Sequence, residues 1–184
     1  MSDSGISRRR WLVASPLGAA VLAAQQHAHE VAQGVRPPVL SVLSEAEARE
    51  IEAIAGRIIP SGDSPGAREA GVIYFIDRAL ATFDSDKRAL YVQGIAQAQS
   101  RRAELFPGSK SIAALRADQQ IRLLEAIEKT EFFDLIRTHT ILGFFSNPSY
   151  GGNRNLEGWK LIGFEDRFRF EPPFGYYDAA ERKL

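Results

Sequence analysis

The hydrophobic positions of this 184-residue chain recur at helical spacing through its middle and lose that spacing towards both ends. Val72, Phe75, Ile76, Ala79, Leu80 and Phe83 fall three, four, seven, eight and eleven residues apart, a continuous apolar stripe along one helix face. Upstream, Ile51, Ile54, Ala55 and Ile58 follow the same period behind Ser44 and Glu47, whose spacing is that of a capping box. The run Pro60-Ser61-Gly62-Asp63-Ser64-Pro65-Gly66 ends that first helix in a tight loop. Asp84 to Asp86 turns the chain into a third helix carrying Leu90, Ile95, Ala98, Arg102 and Leu105, closed by Pro107-Gly108. A fourth is predicted from about Asp118 to Lys129. Phe132 to Phe145 is apolar nearly all round, which predicts a buried central helix stopping at Asn147-Pro148. No alternating strand pattern of useful length and no internal repeat is present. The predicted fold is all-α, a compact bundle of about five helices with an irregular, aromatic-rich C-terminal tail.

After Pro148 the pattern changes. Tyr150-Gly151-Gly152-Asn153 is a tight turn with two readings: a structural turn whose glycines adopt positive φ, or a surface that lets another backbone approach closely. Trp159 with Tyr150 is also compatible with a sugar platform. Gly158, Gly163, Pro172, Pro173 and Gly175 prevent a long helix. Phe164, Phe168, Phe170, Phe174, Tyr176 and Tyr177 therefore lie in a stretch too irregular to form its own core, and pack on the helical body or on another chain.

The N-terminus reads as an address rather than as part of the domain. Ser7-Arg8-Arg9-Arg10-Trp11-Leu12 sets consecutive arginines before a weakly apolar stretch that runs to Ala24, the form of a twin-arginine export signal. That stretch is shorter than the roughly 20 apolar residues a membrane span requires. The expected organisation is a signal peptide over 1–24, a linker over 25–43 and one helical domain over 44–184. It places the mature protein in the periplasm, with the twin-arginine translocon as the partner of Ser7, Arg8, Arg9, Trp11 and Leu12.

Composition narrows the chemistry. Lys and Arg number 23, as do Asp and Glu, so no global positive field exists to gather nucleic acid. Cys is absent, which removes thiolate zinc sites, iron–sulfur ligation, covalent haem, thiol nucleophiles and disulfides. Of three histidines, His27 and His29 lie near the N-terminus, which argues against a multi-histidine metal site. No dinucleotide-binding glycine motif, phosphate-binding loop, nucleophile elbow or zinc-protease motif occurs. His139 stands five residues after Asp134, about 140° away around an ideal helix, so the two share no face. It reads as a buried histidine satisfied by a backbone carbonyl, as a general acid or base, or as an interface contact. Asp63, Glu69, Asp77, Asp84 and Asp86 lack calcium-loop spacing and read as solvated helix ends. The result is an export signal suited to folded cargo on a chain without a cofactor motif.

Three stretches together resemble the gluconate 2-dehydrogenase subunit 3 family, the small subunits of membrane-associated, FAD-dependent sugar and alcohol dehydrogenases. The first is Ile51 to Arg78, with Ile58-Ile59-Pro60 followed by Asp63-Ser64-Pro65-Gly66-Ala67 and Ala70-Gly71-Val72 to Asp77-Arg78. The second is Arg137-Thr138-His139-Thr140 leading to Gly143-Phe144-Phe145. The third and most specific is Asn147-Pro148-Ser149-Tyr150-Gly151-Gly152-Asn153 followed by Gly158-Trp159-Lys160-Leu161-Ile162-Gly163-Phe164.

The resemblance implies a non-catalytic chain with no cofactor, metal or catalytic residue of its own. FAD would sit in a large glucose–methanol–choline-type partner, and haem c in a cytochrome c subunit that passes electrons to quinone. The small subunit would aid folding of the flavoprotein and carry it through the twin-arginine pathway. The expected partner interface comprises His139, Tyr150, Gly151, Gly152, Asn153, Trp159, Phe164, Phe168, Phe170 and Phe174. The alternative is a free-standing periplasmic sugar-binding or hydrolytic helical protein using Trp159, Tyr150 and His139. A third reading is a structural helical protein held at the membrane by an uncleaved signal.

Overall fold

Helix α1 (Glu45–Ile58) starts where the Ser44 hydroxyl accepts from the Glu47 N–H and the Glu47 carboxylate accepts from the Ser44 N–H at 2.9 Å. Each satisfies a backbone donor that the first turn leaves free. In the computed structural model, which describes residues 39–169, the chain is all-α: six α-helices and no strand occur among the described residues. The loop after α1 is tied by Glu69, whose carboxylate accepts from the Ser61 hydroxyl at 2.6 Å and the Gly66 N–H at 2.9 Å.

Helix α2 (Val72–Ala81) buries Val72, Phe75, Ile76, Ala79 and Leu80 along the expected stripe. It ends two residues short of Phe83, which is left exposed with its ring tilted against that of Phe75 at 6.2 Å. A 3₁₀ turn over Ser85–Lys87 leads into α3 (Arg88–Leu105), which buries Tyr91, Gly94, Ile95 and Ala98. Leu90 and Leu105 reach only the margin of the core. Helix α4 (Ala117–Ile127) contributes Leu123, Leu124 and Ile127, and α5 (Glu131–Phe145) is capped by the Thr130 hydroxyl, which accepts from the Phe133 N–H.

The most extensive helix pair is α2 with α5; α1 packs across both, while α3 and α4 close the remaining side. Helix α5 is central but not enclosed. It buries Phe132, Ile136, His139, Thr140, Gly143 and Phe144, yet leaves Ile141 and Leu142 at 36% and 47% exposure. Its continuous apolarity overstated its burial, because no described helix covers that edge.

Two further departures from the expected organisation have physical causes. A sixth helix, α6 (Glu157–Leu161), forms within the stretch expected to be irregular, with Gly158 inside it and Leu156 at its N-cap. The chain is also tied to the helices ahead of Ser44, within the segment expected as linker. Asp77 on α2 is only 3% exposed and accepts from three consecutive amides: Ser41 at 2.6 Å, Val42 at 3.0 Å and Leu43 at 2.8 Å. This carboxylate fixes the chain ahead of α1 against α2 and buries Leu43. The residues of the expected export signal lie outside the described residues, as do Phe170 and Phe174. Among the described residues, no helix is long and apolar enough to cross a membrane.

Candidate partner interface and the turn that supports it

The turn at 147–158 satisfies the open end of α5. The last carbonyls of a helix have no partner within it, and here donors from the turn reach several of them. Gly143 O accepts from the Asn153 N–H at 2.8 Å, Ser146 O from the Asn153 side-chain amide at 2.9 Å, and Phe145 O from the Trp159 indole N–H at 2.7 Å. The Asn153 side-chain oxygen in turn accepts from the Gly158 N–H at 2.8 Å. The same turn docks on the start of α2, where Ala70 O accepts from the Arg154 N–H at 2.9 Å and the Arg154 guanidinium lies 5.6 Å from the Tyr74 ring.

Both readings of the paired glycines apply, at different residues. Gly151 adopts φ 105°, where a side chain would be strained. Gly152 does not need positive φ; it permits the α5 backbone to come so close that a methyl there would overlap Gly143 O. Gly158 stands in the same relation to Phe144 O. The backbone that approaches is the chain's own.

The residues expected at a partner surface therefore divide. Asn153 is fully buried, Trp159 is 9% exposed with its ring centroid 4.9 Å from that of Phe164, and His139 is 2% exposed. These three face the interior of the chain, whereas the expectation set them at a partner surface and, for Trp159, on a sugar platform. Gly152 is also inside. Tyr150, Phe164 and Phe168 remain exposed, joined by Leu161 and Ile162. This apolar margin lies beside the turn.

His139 is satisfied by side chains rather than by a carbonyl. Its Nδ1 lies 3.0 Å from the Tyr91 hydroxyl and its Nε2 3.1 Å from an Asp84 carboxylate oxygen. With the imidazole neutral, Tyr91 donates to Nδ1 and Nε2–H donates to Asp84. The Tyr91 and His139 rings stack at 5.7 Å, and Phe75 and Phe132 meet the pair edge-on. Burial holds the His139 imidazole below its ordinary range, against the smaller opposing pull of Asp84. Burial, reinforced by Asp84, pushes the Tyr91 hydroxyl upward, so it stays protonated. The arrangement pins α5 to α3 and to the corner after α2; the enclosed Tyr91 hydroxyl is unsuited to nucleophilic attack.

This geometry sets a pH dependence. The unfolded chain regains the ordinary histidine value of 6.5, whereas the folded value is lower. On acidification the unfolded state binds the proton first, so the contribution is fully present above 6.5 and is lost as pH falls towards the folded value. Chemical denaturation between about pH 7.5 and 5.5, above most carboxylate titration, is expected to show stability falling on acidification. In His139→Gln that fall should be shallower; equal slopes would show that folding does not change the proton affinity of His139.

Asp77, Asp84 and Tyr91 were not recognisable as structural residues from spacing alone. Asp77 and Asp84 belong to the acidic set expected at solvated helix ends, but one is buried among amides and the other holds His139. Among the described residues, no group of three or more metal-ligating side chains is assembled. The sequence signals for Asp77 are its place directly after Ile76 in the apolar stripe of α2 and the Asp77-Arg78 pair that closes the first stretch resembling the family.

Comparison with curated proteins and with solved structures returns no match. The family model described as gluconate 2-dehydrogenase subunit 3 matches residues 45–166, from the first residue of α1 to just beyond the turn and α6. The match takes in all six helices and exceeds half of the sequence, and the chain belongs to the gluconate 2-dehydrogenase subunit 3 family.

Proposed function

We propose that this chain is the non-catalytic small subunit of a periplasmic, FAD-dependent sugar or alcohol dehydrogenase complex, and that it escorts its flavoprotein partner through the twin-arginine pathway. The observation that carries the reading is the family match over residues 45–166, since membership implies a hetero-oligomer with other dehydrogenase subunits. FAD then belongs to the large subunit, and haem c to a cytochrome subunit where one is present. The exposed apolar margin of Leu161, Ile162 and Phe164 beside the rigid turn supports assembly with another chain. The buried polar residues support the same reading, because Asn153, His139 and Asp77 are engaged in holding the fold. The export role is supported by Ser7-Arg8-Arg9 ahead of the weakly apolar stretch.

The test is a pull-down of the tagged full-length chain from its native host, with an absorbance spectrum and mass spectrometry of the eluate. A flavin spectrum accompanied by one large flavoprotein in fixed ratio is expected. A colourless eluate containing this chain alone would overturn the proposal.

A further inference from the structure

A cleft of about 500 Å³ opens between the segment before α1, the outer face of α1 and the start of α2. That volume lies within the range of well-formed binding clefts, about 300–1,000 Å³. Val39 and Leu40 form one wall, Ile73 and Tyr74 another, and Arg49 and Glu52 line the α1 side. The first wall is held in place, because Asp77 binds the amides of Ser41, Val42 and Leu43 immediately after it.

The charges in this cleft are unbalanced. Glu45, Arg49 and Glu52 follow one another at successive turns of α1, on one helix face. Arg49 is paired back to Glu45 at 3.6 Å. Glu52 is left half-buried, with no hydrogen bond or ion pair among the described residues; Arg68 acts on it only from beyond ion-pair distance. Burial raises the Glu52 carboxyl above its ordinary range, and Arg68 offsets this in part. A half-buried carboxylate at an apolar cleft gains most from a cation whose stem is itself apolar, which describes arginine and lysine.

We propose that this cleft seats a basic side chain, with the residues flanking it, presented by the large subunit of the dehydrogenase complex. The apolar stem would lie along Val39, Leu40 and Tyr74 while the cationic head meets Glu52. The inference rests on the subunit reading above and adds to it a defined contact, on the side of the domain formed by α1 and the start of α2.

The test uses the complex purified from the native host, with Glu52→Lys and Glu52→Gln in the full chain and Glu125→Lys on α4 as a control of equal charge change. Glu52→Lys is expected to weaken assembly by about tenfold or more, as loss of a buried anchor does, and Glu52→Gln by less. Glu125→Lys should leave assembly unchanged. The benzoylphenylalanine photo-crosslinker in place of Arg49 should attach to a large-subunit peptide containing Lys or Arg. Assembly of both Glu52 variants equal to that of the control overturns the inference, as does a crosslink confined to this chain's own preceding residues. The crosslink decides the matter if Glu52→Lys fails to fold. If the unaltered chain assembles with no large subunit, the subunit reading fails and this contact fails with it, whereas a normal complex insensitive to Glu52 removes only the contact.

Discussion

Gly152→Ala is expected to remove at least about 3 kcal/mol of stability, towards the upper end of what a single added methyl does in a packed interior. The reason lies in what the methyl would meet. A flexible side chain can swing aside, but here the obstacle is Gly143 O in the backbone of α5. That same carbonyl accepts the Asn153 N–H at 2.8 Å, so making room for the methyl also lengthens the bond that docks the turn. The loss is large against the roughly 5–15 kcal/mol that hold a domain together. A urea titration would show the midpoint falling with little change in slope. Gly62→Ala and Gly108→Ala are the controls, since a methyl at either meets nothing within 4 Å. Equal stability of Gly152→Ala and these controls would show that the turn does not press on α5.

Trp159→Ala is expected to destabilise the free chain by about 3–5 kcal/mol, the usual cost of truncating a buried aromatic. Two contributions are separable. The ring packs at 9% exposure against Phe164, and the indole N–H reaches Phe145 O at 2.7 Å. Trp159→Phe keeps most of the ring and loses the hydrogen bond, so its cost should be nearer 1–2 kcal/mol, roughly one hydrogen bond with its unsatisfied acceptor. Thermal unfolding of the isolated chain measures both. The sequence placed Trp159 at a partner surface, which would instead predict a normal melting temperature and failed assembly. A stable Trp159→Ala monomer would restore that placement.

The helices were legible because their causes are local. The period of Val72 to Leu80 and the pairing of Ser44 with Glu47 depend on residues within a turn or two of each other. The misplacements involve partners far away along the chain. Asp77 looks like a solvated acid until Ser41 to Leu43 fold back over it, and His139 finds neither Asp134 nor a carbonyl but Asp84 and Tyr91, 55 and 48 residues away. Ile141 and Leu142 look buried because apolarity reports the preference of a side chain, not whether a neighbour is there to cover it. The family motif around Gly151 to Trp159 was recognisable as a motif, but its role was not. Nothing in the string Gly-Gly-Asn shows that the backbone it lets approach belongs to the same chain.

The amides that Asp77 gathers also determine how the domain meets a pull. Tension arriving along the chain from before Val39 reaches Ser41, Val42 and Leu43 first, and these are tethered to the middle of α2, not to the frayable first turn of α1. The three bonds converge on one buried carboxylate, so they share the load and shield the Ser44 cap behind them. A chain drawn forward by its N-terminal end would thus be held through α2, a member of the most extensive helix pair, with α1 carried along rather than peeled away.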